Sequence, residues 1–284
     1  MRSMRPHLHA SSQRVVLPPF SGRRPRSLAR HCSATHAAWT SSAPSLRVLL
    51  TGASSAAGLA LLSLFAAQPG CHVTAVTRSE RRHSHALTSA GAHAVLQADC
   101  TDASSLHAAL HAAQPHVVVH LAGSAPTAGC SGGDATMLRC TVDACLSVRG
   151  VARFVFVSAL GCEETSVCLP GASLDVLQPW LQRKEQSESY LIASGLEYCV
   201  LRPGPLRDGA PTGQAVTSRD ADRGQAYSAL SRSDLAHVLF AAALSRTATR
   251  TVLSVLDASA VIIASPSLRT LEPWESLPFQ LFEL

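Results

Sequence analysis

The feature of this chain that most constrains its fold is an apolar run that breaks at a glycine and restarts as a helical segment. The run is Val48-Leu49-Leu50, the break falls at Gly52, and a second glycine follows at Gly58. A tight strand-to-helix turn needs the first glycine. The second lets the helix lie close to the strand and point its free backbone N–H groups at a phosphate. The pattern therefore predicts a nucleotide-binding turn.

Five positions in this turn are candidate cofactor contacts, namely Thr51, Gly52, Ser54, Ser55 and Gly58. The two glycines match the outer positions of a G-x-x-G-x-x-G loop, whereas Ser55 takes the place of the middle glycine. The loop by itself leaves open a second interpretation, in which it is a glycine-containing βα turn that binds nothing.

The segment after the turn indicates which dinucleotide the chain prefers. Residues 71–77 form a second apolar run, and Arg78 follows it about twenty residues beyond Gly58, where such folds contact the ribose. An acidic residue there would hold the 2′-hydroxyl of NAD, whereas Arg78, with Arg81 and Arg82 nearby, suits a 2′-phosphate. We therefore expect NADP(H) rather than NAD(H). The alternative is that these arginines form the solvated start of a helix.

Further along the chain, short apolar runs alternate with amphipathic or alanine-rich segments. This alternation predicts an α/β fold with a doubly wound parallel sheet, the Rossmann arrangement. The predicted strands are 46–51, 72–77, 93–96, 116–121, 152–158, 197–202 and 251–255. The predicted helices are 56–68, 81–90, 103–113, 134–149, 174–194 and 232–246. Three irregular stretches, 124–133, 159–173 and 203–231, are expected at the carboxyl edge of the sheet, where such folds bind ligands.

No charged residue lies between Arg47 and Arg78, and an uncharged stretch of this length could span a membrane. However, it contains several polar, glycine and proline residues, and a strand, turn, helix, turn, strand interpretation accounts for each of them. Strands and helices that are covered on both sides carry such apolar runs without a membrane. We therefore expect no transmembrane span.

Residues 1–45 differ in composition from the rest of the chain. They contain seven arginines and no acidic residue, whereas all 19 acidic residues lie beyond them. This composition is typical of an organellar transit peptide, with a plastid favoured over a mitochondrion, and a disordered basic tail is the alternative. Without this leader the chain is slightly acidic, so no nucleic-acid partner is expected.

The nine cysteines include no C-x-x-C pair, and several fall on predicted strands. A zinc site would need cysteine or histidine ligands at regular, closer spacings. We therefore expect the cysteines to be small buried hydrophobic residues and predict no metal site.

Several further motifs occur in order along the chain. They are Ala98-Asp99-Cys100, VVVHLAG at 117–123, VFVS at 155–158, SGLEYCVLRPGPL at 194–206 and SRSDLA at 231–236. Together with the turn at Gly52 they resemble the atypical, NmrA-like branch of the short-chain dehydrogenase/reductase superfamily, over residues 46–256. The resemblance implies a nicotinamide dinucleotide cofactor.

The resemblance also implies roles for individual positions. Asp99 corresponds to the acidic residue that contacts the adenine in this superfamily. Ser158 corresponds to the serine that binds the oxygen atom of the substrate. The other cofactor contacts that it implies are Cys100, Ala122, Gly123, Pro203 and Gly204.

Hydride transfer in this superfamily normally uses a Tyr-x-x-x-Lys pair, in which the lysine ammonium lowers the pKa of the tyrosine. Here Lys184, the only lysine of the chain, is preceded four residues earlier by Trp180. An indole N–H donates a hydrogen bond but does not supply a proton as a phenol does. The candidate catalytic residues are Ser158 and Lys184, and Lys184 would also bind the nicotinamide ribose. The alternative for Lys184 is a solvent-facing helix lysine.

The sequence leaves two functions open. The first is an NADP(H)-dependent oxidoreductase acting on a small carbonyl or enone substrate, held by Ser158, the 124–133 loop and residues 203–231. The second is a catalytically silent NADP-binding protein that serves as a scaffold, redox sensor or assembly factor of an organellar complex. The Trp180 substitution favours the second, and the cofactor motifs fit both.

The predicted organisation is a leader over 1–45, an NAD(P)-binding domain over 46–256 and a C-terminal extension over 257–284. The extension is short for a substrate lid. Its Trp274 and Phe279 would either contact a partner or pack on the core.

Overall fold

The computed structural model describes residues 45–124, 133–169, 171–219, 226–245, 247–260, 262–263 and 272–273. The predicted leader up to residue 44, most of the 124–133 loop, and both Trp274 and Phe279 lie outside the described residues.

The described residues form strands and helices that alternate through most of the chain. The strands are β1 (Leu46–Thr51), β2 (Cys71–Thr77), β3 (Ala94–Gln97), β4 (Val117–His120), β5 (Arg153–Val157), β6 (Tyr198–Pro203), β7 (Leu206–Arg207), β8 (Ala215–Ser218), β9 (Ala226–Tyr227), β10 (Leu230–Ser231), β11 (Thr251–Asp257), β12 (Ile262–Ile263) and β13 (Glu272–Pro273). The helices are α1 (Ala56–Ala66), α2 (Glu80–Ser89), α3 (Ala103–Ala113), α4 (Gly133–Ser147), α5 (Gly171–Ala193) and α6 (Arg232–Leu244), with a short 3-10 helix at Glu163–Cys168.

Nine of the described strands form one sheet, in the order β13-β8-β11-β6-β5-β4-β1-β2-β3. Neighbouring strands from β3 to β11 run parallel, and β8 and β13 add antiparallel pairings at one edge. The strand order reverses at β1, which pairs with β2 on one side and β4 on the other. Such sheets bind ligands beyond the carboxyl ends of the strands at this switch point. The predicted doubly wound parallel sheet is confirmed.

Both faces of the sheet are covered by helices. Leu50 of β1 belongs to one hydrophobic core with Leu61 of α1 and Leu239 of α6, and α1 packs beside α6. Its neighbour Leu49 points to the other face, into a second core with Leu138 of α4. Full burial of one such side chain contributes ~1.5–3 kcal/mol. Because β1 faces an apolar core on each side of the sheet, the stretch 48–77 that contains it carries no Asp, Glu, Lys or Arg.

The observed elements agree with the predicted ones to within three residues at each end, and β1 and α3 have the predicted bounds. The short strands β7 to β10 inside 203–231 were not predicted, because they are two to four residues long and carry no clear alternation. Within the predicted extension 257–284, β13 pairs with β8 in the main sheet. At least this part of the extension therefore joins the sheet.

None of the described helices is both long and apolar enough to cross a membrane. The uncharged stretch after Arg47 instead forms β1, α1 and β2. The strand and helix interpretation therefore accounts for its composition.

Gly204 follows β6 and lies against the segment between β9 and β10. Its N–H donates to the carbonyl oxygen of Val255 at 3.1 Å. A Cβ atom at position 204 would lie 2.0 Å from the carbonyl oxygen of Ser228. Backbone packing therefore requires glycine here, in addition to any contact that Gly204 makes with a cofactor.

We expect Gly204→Ala to lower the free energy of unfolding by ~1–3 kcal/mol, because the backbone at Ser228 must move to make room for the methyl group. Gly171→Ala is the control, since a Cβ atom at position 171 meets nothing within 4 Å. Urea unfolding followed by circular dichroism measures both. A Gly204→Ala protein as stable as Gly171→Ala would contradict the close approach.

Candidate functional site

The turn between β1 and α1 lies against the carboxyl end of β4. Gly52 has a φ of 68°, and a Cβ atom there would lie 2.6 Å from the backbone nitrogen of Ala122. A Cβ atom at Gly58 would lie 2.6 Å from the carbonyl oxygen of Ala53. Both positions therefore need glycine, because backbone from a neighbouring segment occupies the space of a side chain.

The amino end of α1 opens to solvent beside this turn. Ser55, which replaces the middle glycine of the loop, caps α1, and its Oγ accepts the N–H of Gly58 at 3.1 Å. Ser54, Ser55 and Ala56 are exposed, and no acidic residue lies in the first helical turn. Free N–H groups and the positive end of the helix dipole suit a phosphate. The turn from Gly52 to Gly58 therefore fits a pyrophosphate.

The side chain of Thr51 is engaged within the sheet. Its Oγ1 lies 3.0 Å from Nδ1 of His120 at the end of β4, and both residues are buried. Burial, together with the charge of Lys184, lowers the pKa of His120 to about 3, so the ring is neutral. The predicted cofactor contact of Thr51 would therefore use its backbone.

Arg78 and Asp99 follow the neighbouring strands β2 and β3. Arg78 is exposed immediately after β2. The Asp99 carboxylate accepts hydrogen bonds from the N–H and the hydroxyl of Thr101, at 2.9 and 2.8 Å. These bonds, assisted by the charge of Arg78, hold the pKa of Asp99 below its ordinary value. The exposed guanidinium of Arg78 suits an anionic group of a ligand, and the carboxylate of Asp99 suits a hydrogen-bond donor.

Cys100 lies in the hydrophobic core rather than in the cleft, and burial raises the pKa of its thiol to about 12. A cofactor contact at Cys100 would therefore come from its backbone.

The seven described cysteines are free and six of them are buried, as the sequence predicted for this part of the chain. Among the described residues, no group of three or more His, Cys, Asp and Glu side chains could hold a metal ion.

Lys184 of α5 is buried at the carboxyl end of β5, so the solvent-facing alternative is wrong. Its Nζ donates to the carbonyl oxygen of Val157 at 3.4 Å and lies 3.8 Å from Oδ2 of Asp134. The same Nζ lies over the rings of Phe156 and Trp180, 5.3 and 5.6 Å from their centroids. Burial lowers the pKa of Lys184, and the charge of Asp134 opposes this shift.

Trp180 lies one helical turn before Lys184 and binds the segment that follows β4. Its Nε1–H donates to the carbonyl oxygen of Ser124 at 3.1 Å. The N–H and hydroxyl of Ser124 both donate to Oδ1 of Asp134, each at 2.7 Å. Since an indole has one donor and no acceptor, the polar group of Trp180 is fully used by the protein. These bonds fix the segment after β4 against α4 and α5.

Ser158 is linked to a buried ion pair. Its Oγ donates to Oε1 of Glu188, and Oε2 of Glu188 accepts from Nη2 of Arg202 at 2.6 Å. Glu163 and Glu164, whose own side chains are about half exposed, also form ion pairs with this guanidinium. Because the hydroxyl proton of Ser158 is directed at Glu188, its oxygen is left as an acceptor, and Sγ of Cys162 lies 3.7 Å from it.

Two groups of the predicted site residues lie next to each other, whereas Arg78, Asp99 and Cys100 follow β2 and β3. The first is the β1–α1 turn with Ala122 beside it. The second group is Gly123, Lys184 and Ser158. A Cβ atom at Gly123 would lie 3.2 Å from Nζ of Lys184. Ser158 directly follows Val157, the last residue of β5, whose carbonyl oxygen accepts a hydrogen bond from Nζ. The Pro203–Gly204 turn lies one strand further along, at the end of β6.

Sequence reasoning missed Asp134, Glu188 and Arg202. Glu188 follows Lys184 by four residues, so helical spacing already put both on one face of α5. Arg202 belongs to the Leu-Arg-Pro-Gly motif, and a charged residue near the end of an apolar run was a signal that could have identified it. Asp134 gave no local signal, because tertiary structure alone brings α4 to α5.

The buried pair predicts a non-additive loss of stability. We expect Arg202→Met to cost ~3–5 kcal/mol, since it leaves the charge of Glu188 buried and uncompensated. Combining it with Glu188→Gln should restore part of the loss, because the unpaired charge is then removed. Urea unfolding of both single variants and the double variant measures the coupling.

The control is Arg250→Met, which breaks the exposed pair of Arg250 with Glu197 and should cost less than ~1 kcal/mol. Additive losses from Arg202→Met and Glu188→Gln would contradict the pairing.

Comparison with known proteins was consistent with this geometry. Residues 52–246 match the NAD(P)H-binding family. The uncharacterized sugar epimerase YhfK of Bacillus subtilis is 31% identical over 201 residues, which cover 69% of this chain and 87% of that protein. An uncharacterized chloroplastic protein of Arabidopsis thaliana is 36% identical over 86 residues, which cover 26% of this chain and 28% of that protein.

The fold also matches a solved structure along most of its length. ChuY of Escherichia coli O157:H7, named an anaerobillin reductase, has 27% identity and a TM-score of 0.64, covering 78% of this chain and 98% of ChuY. Sheet topology, turn geometry and the family match over 52–246 agree. This chain therefore belongs to the NAD(P)H-binding family of Rossmann-fold proteins.

Proposed function

We propose that this protein is an NADP(H)-dependent oxidoreductase. The observation that carries the proposal is the buried ammonium group of Lys184 at the same sheet edge as the open amino end of α1. The ammonium would bind the nicotinamide ribose, and the helix end would bind the pyrophosphate. The dinucleotide, when bound, supplies or accepts a hydride.

The preference for NADP(H) is supported by charge at the end of β2. Arg78, Arg81 and Arg82 are all exposed there, and none of them forms an ion pair with another described residue. Free guanidinium groups bind a 2′-phosphate through charge-assisted hydrogen bonds. A dinucleotide without this phosphate would gain nothing from them.

The substrate would be a small carbonyl or enone bound near Ser158. The Ser158 hydroxyl donates to Glu188, so its oxygen can hold a water molecule by accepting a hydrogen bond from it. That water would protonate the carbonyl oxygen as the hydride reaches the carbonyl carbon, and the hydroxide left behind would take a proton from solvent. Trp180 takes no part in this transfer, because its N–H is bound to Ser124. The likeness to ChuY, named a reductase, supports the reductive direction.

A catalytically silent NADP(H)-binding protein is the second candidate, and the contact of Trp180 with Ser124 favours it. Trp180, which replaces the usual tyrosine, uses its only polar group to hold the segment after β4 through the carbonyl oxygen of Ser124. Such a protein would bind the cofactor and serve as a scaffold, redox sensor or assembly factor in an organellar complex.

We also propose that the protein acts in a plastid. The arginine-rich, acid-free composition of residues 1–45 supports import into an organelle. The similarity to a chloroplastic Arabidopsis protein supports the plastid over the mitochondrion.

Calorimetric titration of NADPH and NADH tests the cofactor assignment. We expect tight NADPH binding that Arg78→Ala weakens by about 10- to 100-fold, the size of one lost charge-assisted contact, while NADH binding stays unchanged. Arg139→Ala on the surface of α4 is the matched control. Equal loss for both dinucleotides in Arg78→Ala would contradict recognition of the 2′-phosphate.

NADPH oxidation with a panel of small aldehydes, ketones and enones tests the chemistry. With any substrate that is turned over, Ser158→Ala should lower kcat/KM about tenfold or more and leave NADPH binding unchanged. Undiminished turnover in Ser158→Ala would remove Ser158 from the mechanism. NADPH binding without turnover of any compound would favour the silent protein.

A further inference from the structure

Two buried charged groups converge on the open face of Gly123. A Cβ atom at Gly123 would lie 3.2 Å from Nζ of Lys184 and 3.5 Å from Oδ2 of Asp134. The side chains of Lys184 and Asp134 are only 7% and 2% exposed. Because Gly123 has no side chain, the space beside it is left to the ammonium group of Lys184, which is a donor, and to the carboxylate of Asp134, which is an acceptor.

Within the described structure, Oδ2 of Asp134 is buried and has no hydrogen-bond partner. Its other oxygen, Oδ1, is held by the N–H and hydroxyl of Ser124 at 2.7 Å. The ammonium of Lys184 is the nearest cation at 3.8 Å, which is longer than a hydrogen bond. A buried carboxylate oxygen without a donor is costly, so this atom is expected to have a ligand.

We propose that Asp134 is a cofactor-binding residue, whose Oδ2 accepts a hydrogen bond from a hydroxyl of the nicotinamide ribose while Nζ of Lys184 donates to its neighbour. This inference rests on the proposed function. It assigns to Asp134 the acceptor that Trp180 cannot provide, since an indole has none.

The chemistry of the pair suits a ligand with hydroxyl groups, such as the vicinal diol of a ribose. Lys184 offers only donors and Asp134 offers only acceptors, whereas each ribose hydroxyl is both donor and acceptor. A diol satisfies both groups at once, and a carbonyl or a carboxylate would leave Oδ2 without a donor. The bonds of Ser124 to Oδ1 hold the carboxylate in place before the ligand arrives.

Binding of two probes to the full chain tests the inference. NADPH carries the nicotinamide ribose, and adenosine 2′,5′-bisphosphate carries the adenine end alone. We expect Asp134→Asn to weaken NADPH binding about tenfold or more and to change binding of the bisphosphate less than about twofold. Asp143→Asn, the same change on the exposed side of α4, is the matched control and should alter neither.

Gly123→Ala is the second variant, in case Asp134→Asn fails to fold. Gly123 is outside the left-handed region, so alanine fits its backbone, and the added methyl group fills the space beside both charged groups. It should weaken NADPH binding and spare the bisphosphate, with an unchanged Tm.

The outcomes separate the two proposals. If the wild-type protein binds neither probe, the proposed function fails and the inference falls with it. If the wild type binds NADPH and both variants bind it equally well, the inference is overturned and the proposed function stands. Equal weakening of both probes in a folded variant would also overturn the inference, because the effect would not be confined to the nicotinamide ribose.

Discussion

The backbone contact between the β1–α1 turn and the end of β4 is the constraint on which the site depends. A side chain at Gly52 would meet Ala122 at 2.6 Å, so β1 and the end of β4 keep this spacing only with glycine. The residues that follow, Gly123 and Ser124, then reach α4 and α5 at a fixed place. The turn that suits a phosphate and the group around Lys184 are therefore parts of one connected unit.

The buried charges at the carboxyl edge occur in matched pairs. Asp134 faces Lys184, and Glu188 faces Arg202. Burial would lower the pKa of Arg202, but the bonds and charges of Glu188 and Glu164 raise it above its ordinary value. A single buried charge costs several kcal/mol, whereas a hydrogen-bonded pair is tolerated. Since α5 supplies one member of each pair, a shift of this helix would disturb both at once.

The parts of the fold that local chemistry determines could be predicted from the sequence. α3 begins where Asp102 caps it, with its carboxylate accepting the N–H of Ser104, and the apolar runs of the central strands mark the sheet. The described parts of the segment 203–231, residues 203–219 and 226–231, could not be predicted, because contacts with distant residues shape them. Asp234 of α6, for example, accepts the N–H of Thr212.

The site follows the same division. Its glycines and Lys184 occur in recognisable motifs, so sequence reasoning found them. Asp134, the partner of Lys184, is separated from these motifs along the chain and meets Lys184 only in the folded protein. Where a side chain is satisfied by a remote partner, spacing alone carries no signal.

The buried thiols have a consequence for how this protein responds to oxidants and alkylating reagents. Burial raises the pKa of Cys71 in β2 and of Cys199 in β6 to about 12, so almost no thiolate exists at neutral pH. The thiolate is the reactive form. In the native state these cysteines are chemically silent, and their modification requires a local opening of the sheet. The rate at which each is labelled would therefore report how often its own strand leaves the core.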